Sequence, residues 1–337
     1  MGIGTTGTRV AVGVLAAVLV GVAGCSSAAG DRTSDTVAIV AYSVPKPAYD
    51  DLQAAFGRTE QGNGVAFSAS YGPSGTQSKA VSSGQNADYV AFSLQPDMTR
   101  LVPDEVAEDW NAGPTKGMVS DSVVVIVVRK GNPKNITGWD DLIKPGVQIV
   151  TPDPASSGSA KWNILAAYTQ VTVRGGSDAD ARKYLTEFYR HVVSKPSSGA
   201  NAMVTFESGT GDALLSYENE AIAARAKGAG VDYIVPERTF LIENPAAVTT
   251  TASQHAKDFL AFALSDAGQK VFAANGYRPV VPGVDPGPVP GANDPANPFP
   301  TVDKLTTIDE LGGWSAVNEK FFAAGTGIVG QVEQAAG

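Results

Sequence analysis

Cysteine and histidine are nearly missing from these 337 residues: one cysteine, Cys25, and two histidines, His191 and His255. A lone cysteine excludes a disulfide framework and any thiolate metal site. The histidines fall on separate predicted helices with no second ligand nearby, and read as solvated helix residues rather than bases or metal ligands. Positive charge is also short, with 25 Lys and Arg against 34 Asp and Glu and a net charge of −9. That balance argues against nucleic acid as a partner, because phosphates need a basic surface. A Gly-x-x-x-x-Gly-Lys-Ser/Thr phosphate loop is absent, and Gly209-Thr210-Gly211 lacks a third glycine, with Leu214 in its place. The nucleophile elbow Gly-x-Ser-x-Gly is absent too; Gly72-Pro73-Ser74-Gly75 does not match it. Enzyme readings therefore have little support, and no catalytic residue, metal or cofactor is expected.

What is present begins with a targeting segment. Arg9 is the only charged side chain before Cys25, and residues 10–23 are Val, Leu, Ala and Gly. That stretch is too short for a comfortable membrane span. It ends in Val22-Ala23-Gly24-Cys25, which resembles a bacterial lipoprotein signal. The reading removes residues 1–24, lipidates Cys25 and makes 25–35 a tether. The chain would then be exported and held by lipid on the outer face of the cytoplasmic membrane. A signal peptide with a chance cysteine is the alternative.

Beyond the tether, strands and helices alternate. The apolar runs 36–41, 65–70 and 88–93 read as strands, the first two handing over to helical spacing. The most hydrophobic run, 122–128, has the sequence SVVVIVV, which suits a strand buried on both faces. A strand is expected over 147–151, a long helix over 178–193, and strands over 212–217, 231–235 and 239–242. Helices follow over 253–264, 267–274 and 315–324. Residues 279–300 hold eight prolines and three glycines, too many for regular structure, and should wrap the surface. This order indicates an α/β fold with mostly parallel sheets and flanking helices.

One device recurs in the hand-over from strand to helix. Ser43, Ser74-Gly75, Ser156-Ser157-Gly158-Ser159 and Ser198-Gly199-Ala200 all stand there. The first N–H groups of a helix lack partners inside it, and the macrodipole adds positive charge, so an oxyanion is a natural guest. Each turn alone could equally be a helix cap. Together they favour an anion receptor built from donors at the carboxyl ends of strands. A site with hydroxyls and N–H groups but no acceptor suits a fully deprotonated anion such as sulfate over hydrogen phosphate, whose proton needs an acceptor. Asp153 would spoil this if its carboxylate pointed inward; Pro152 and Pro154 beside it argue for an outward loop.

The residues also resemble a known family. Arg129-Lys130-Gly131-Asn132-Pro133-Lys134, Trp139-Asp140-Asp141-Leu142-Ile143-Lys144-Pro145-Gly146-Val147 and Trp162-Asn163 are similar to the sulfate/thiosulfate-binding proteins of ABC importers. So are Ser74-Gly75-Thr76-Gln77, Glu218-Asn219-Glu220-Ala221, Gly276-Tyr277-Arg278-Pro279 and Gly312-Gly313-Trp314, all in collinear order. The resemblance implies a two-lobed periplasmic-binding-protein-like fold of type II, with 36–120 plus 239–337 as one lobe and 121–238 as the other. It implies a monomeric, non-enzymatic receptor that closes over sulfate and delivers it to permease subunits. Carried over by position, the hydroxyls of Ser74 and Ser157 and the N–H groups of Ser43, Gly158, Ser159 and Gly199 or Ala200 hold the anion. Tyr217 takes the place of a family tryptophan. Thiosulfate, molybdate or tungstate in the same fold is the first alternative; an exported serine hydrolase and a structural envelope lipoprotein are others.

Overall fold

The computed structural model describes residues 1–2 and 36–337. The lipobox, Cys25 and the tether fall within 3–35, outside the described residues. In chain order the strands are β1 (Thr36–Tyr42), β2 (Ala66–Gly72), β3 (Tyr89–Ala91), β4 (Met118–Arg129), β5 (Ile149–Val150), β6 (Val192–Ser194), β7 (Ala213–Tyr217), β8 (Val231–Ile234), β9 (Arg238–Val248) and β10 (Lys304–Thr306). The helices are α1 (Lys46–Phe56), α2 (Ser74–Ser82), α3 (Gln95–Thr99), α4 (Gly158–Thr172), α5 (Asp178–Arg190), α6 (Gly199–Glu207), α7 (Glu218–Ala226), α8 (Gln254–Ala263), α9 (Asp266–Ala274), α10 (Gly313–Val317) and α11 (Ile328–Ala336). None of the described helices is long and apolar enough to cross a membrane.

Two strands organise the sheet, whose order is β2-β1-β3-β9-β4-β7-β5-β6 with β10 on β9 and β8 on β4. Residues 123–128 of β4 are Val and Ile, each at most 1% exposed, as the unbroken β-branched run requires. The first half of β4 pairs antiparallel with β9, and its second half with β7 and β8. β9 continues past β4 to pair antiparallel with β3. Outside this pair the ladders are parallel: β1 with β2 and β3 in one half, β5 with β6 and β7 in the other. The sheet is mixed because β4 and β9 run through both halves instead of returning through a helical crossover.

Each half has its own core. Val37, Ile39, Tyr49, Leu52, Phe56, Phe259 and Phe272 fill the first, with Phe56 edge-on to Phe259 at 5.4 Å between ring centres. Val124, Ile126, Leu165, Leu185 and Phe188 fill the second. The C-terminal segment joins that second core through Val317, Phe321, Ile328 and Val332. Arg182 donates to Gln331 at 2.9 Å and Lys195 pairs with Glu333 at 2.8 Å. Sequence order alone puts 239–337 with the first half; the apolar face of α11 packs its end of the chain on α5 instead.

Three details differ from the sequence reading. The helix expected over 178–193 stops at Arg190, because 192–194 pairs with β5 as β6. Residues 315–324 split into α10 and one π-helical turn, Asn318–Phe322. The proline-rich stretch has no helix or strand, yet it is anchored: Val289 is fully buried and packs in one cluster with Ile222 and Ala224.

Candidate anion-binding site

Three helices begin where strands of the two halves meet. α2 starts at Ser74, directly behind Pro73, whose fixed φ of −59° suits a helix entry. α4 starts at Gly158 with Ser157 as N-cap, in extended conformation and without a side-chain cap bond. α6 starts at Gly199; the Ser198 hydroxyl caps it by accepting from the Asn201 N–H at 3.2 Å. Ser198 therefore spends its oxygen on the helix, and Ser157 does not.

These turns converge on one small cavity of ≈ 10 Å³, too small for an ordinary organic ligand. Six of the eight residues expected at the site line it: Ser43, Ser74, Ser157, Gly158, Ser159 and Gly199. No charged side chain among the described residues lines it. The Ser157 hydroxyl makes no hydrogen bond among the described residues and is 4% exposed, so its proton is available to a guest. The leading N–H groups of α4 and α6 have no intrahelical acceptor.

The fit across the cavity is tight. A Cβ at Gly158 would lie 2.3 Å from Ser93 Oγ and 2.9 Å from Leu94 Cγ. One at Gly199 would lie 2.6 Å from Ser159 Oγ, 3.1 Å from Val44 and 3.2 Å from Glu220 Oε2. Neither glycine has a positive φ, so close approach explains them, not backbone conformation. Trp162 on α4 donates its indole N–H to Ser93 O at 2.9 Å and is fully buried, tying the second half to the end of β3.

The other expected residues sit differently. Ala200 lines the adjoining cleft with Ser43, Glu220 and Tyr277. Tyr217 is fully buried behind the wall, and its phenol oxygen lies 2.6 Å from Ser93 Oγ. Burial pushes its ionisation well up, while bonds with Ser93, Ser159 and Asn244 act the other way. It remains a neutral phenol bonded to the Ser93 hydroxyl in the cavity wall. Ser74 reaches the cavity, but its hydroxyl donates to Asp97 Oδ2 at 2.7 Å and accepts from the Ser93 N–H at 3.0 Å. Asp153 does not line the cavity; its carbonyl accepts from the Ser157 N–H at 2.8 Å.

Sequence reasoning missed Ser93, Asp97 and Glu220. Ser93 could have been found, since it stands between β3 and the Leu94-Gln95-Pro96 entry to α3, the same strand-to-helix device. Glu220 carries no such sign. Its carboxylate accepts from Ser216 at 2.7 Å, and burial pushes its ionisation up to about 7. No group of three or more His, Cys, Asp or Glu among the described residues could hold a metal.

Residues 37–278 match the family described as bacterial extracellular solute-binding protein. The chain belongs to that family. This solute-binding protein is 37% identical to the sulfate-binding protein of Synechococcus elongatus over 92% of its own length and 90% of the relative's. It is 33% identical to the sulfate-binding protein of Escherichia coli, over 85% and 89% of the two chains. The solved structure of the sulfate-binding protein SubI from Mycobacterium tuberculosis superposes with a TM-score of 0.79 at 44% identity, covering 84% of this chain and 98% of that one. The solute-binding protein thus has the two-lobed type II fold, and its candidate site lies where the lobes face each other.

Proposed function

We propose that this chain is an extracytoplasmic sulfate receptor that hands its ligand to the permease subunits of an ABC importer. The observation that carries this is the uncharged cavity where the entries of α2, α4 and α6 converge. Oriented N–H groups and hydroxyls stabilise a dianion there without a counter-charge, and the low-dielectric surroundings strengthen each bond. Names carried by the related sulfate-binding proteins support the same ligand.

In this reading the Ser157 hydroxyl and the N–H groups of Ser43, Gly158, Ser159 and Gly199 hold the anion directly. Ser74, Ala200 and Tyr217 take less direct parts. Closure is a population shift toward a state in which donors from both lobes reach one ion. The lobes are best drawn with 36–120 and 239–278 in one and 121–238 in the other. The packing of α11 on α5 supports adding residues 304–336 to the second. Lipidation of Cys25 would keep the receptor on the outer face of the membrane beside its importer, as a monomer. Isothermal titration with sulfate, using inorganic phosphate as control, tests the proposal. Saturable heat with sulfate and far weaker heat with phosphate is expected; no response to sulfate would sink it.

A further inference from the structure

One hydroxyl in the cavity wall has its proton already committed. A serine hydroxyl owns one proton and two lone pairs, and a carboxylate can only accept. Ser74 lies 2.7 Å from Asp97 Oδ2, so its proton points at Asp97, away from the cavity. The Ser93 N–H takes one lone pair at 3.0 Å. What remains at Ser74 is a lone pair, an acceptor in a wall otherwise supplied with donors.

Asp97 is held firmly in this role. It is 5% exposed on α3, and Arg100 Nη1 donates to its second oxygen, Oδ1, at 2.8 Å. The same Arg100 nitrogen reaches Ser78 Oγ at 2.7 Å, and Ser78 donates to the Asp97 carbonyl at 2.6 Å. Burial lowers the ionisation of Lys161 on α4, with the charge of Asp97 acting the other way. A Cβ at Gly75 would sit 3.7 Å from both Asp97 Oδ1 and Ser156 O, so the carboxylate stands where the two lobes meet.

We propose that Asp97 is a positioning residue that sets anion selectivity by claiming the Ser74 proton and so withholding it from the bound anion. This rests on the anion-receptor reading of the cavity. Sulfate brings no proton of its own and meets a lone pair at Ser74 unless the hydroxyl turns. Turning breaks a charge-assisted bond, the stronger kind. Hydrogen phosphate can instead donate its own proton to that lone pair. Asp97 thus holds sulfate affinity below the ceiling of the remaining donors and narrows discrimination against a protonated oxyanion. With asparagine at 97, the amide can donate to Ser74, whose proton is then free for the anion.

The test is titration calorimetry of the wild type, Asp97→Asn, Ser74→Ala and the double variant with sodium sulfate and with inorganic phosphate. Asp97→Asn should bind sulfate about tenfold more tightly and raise the sulfate-to-phosphate ratio at least as much. Ser74→Ala in the wild-type background should change sulfate affinity less than about threefold, because that hydroxyl is already spent. The gain from Asp97→Asn should vanish in the double variant. Equal or weaker sulfate binding by a folded Asp97→Asn overturns the inference, as does a gain that survives removal of Ser74. If Asp97→Asn does not fold, the Ser74→Ala arm decides alone: a large loss means Ser74 donates to sulfate, and a small one supports the inference. A wild type without sulfate heat overturns the receptor reading and this inference with it; a wild type that binds confines any failure to Asp97.

Discussion

Alanine at position 158 would place a methyl carbon 2.3 Å from Ser93 Oγ and 2.6 Å from Ser93 Cβ. Contacts below 3.0 Å are not sustained, so something must move. Ser93 cannot easily yield: its hydroxyl lies 2.6 Å from the buried Tyr217 phenol, and its carbonyl accepts from Trp162 at 2.9 Å. Gly158 belongs to α4 in one lobe and Ser93 to the end of β3 in the other, so the overlap exists only when the lobes are together. Overpacking of this kind costs about 1–3 kcal/mol. Charged entirely against closure, that is a loss of roughly 5- to 150-fold in sulfate affinity. The ligand-free protein should not suffer, since Gly158 has no positive φ and the near contacts of the added carbon lie on Ser93 and Leu94. The expected signature is weak sulfate binding by calorimetry beside an unchanged ligand-free melting temperature. Wild-type affinity in Gly158→Ala would refute the clash argument, and a large drop in ligand-free stability would show that the overlap is not tied to closure.

Ser157→Ala should weaken sulfate binding by about 1–3 kcal/mol, the cost of leaving a buried oxygen without its donor, and calorimetry reads it directly. Glu220, pushed by burial from 4.5 to about 7, favours the folded protein most below pH 4.5, and that advantage is lost as pH rises through 7. The loss is at most about 3 kcal/mol; urea unfolding at acid and neutral pH should show it, and Glu220→Gln should flatten the profile. Arg278 pairs with the fully buried Glu218 at 2.7 Å. Arg278→Met strands that carboxylate and should destabilise the fold by about 3–5 kcal/mol, with much of the loss recovered by adding Glu218→Gln.

The central strand and the turns that line the cavity were legible because each rests on a local pattern. The Val-Val-Val-Ile-Val-Val run of β4 suits a strand covered on both faces, and Ser157-Gly158-Ser159 between strand and helix offers N–H and hydroxyl donors. The hydrogen-bond partner of Ser74 was not legible. It depends on α3 folding back 23 residues later to bring Asp97 to 2.7 Å, and nothing near Ser74 signals that approach. The surroundings of Tyr217 were hidden for a related reason: a phenol at the end of β7 can face the ligand or the wall, and its bonded partner, Ser93, lies 124 residues away. The helical face of α11 is visible in Ile328, Val329 and Val332, but which lobe it covers is a tertiary choice that chain order does not contain.

β9 has a consequence for how the chain is made. Its residues 246–248 border β3, and its residues 241–245 border the start of β4. A growing chain that has not reached residue 248 leaves β3 and the start of β4 without their neighbour, although the second half of β4 can already pair with β7 and β8. Each fragment would expose a sheet margin able to pair with a neighbour, and the long sequence separation slows productive pairing. The arrangement keeps the first half from settling early, a useful property for a chain that must be threaded through a membrane before it folds.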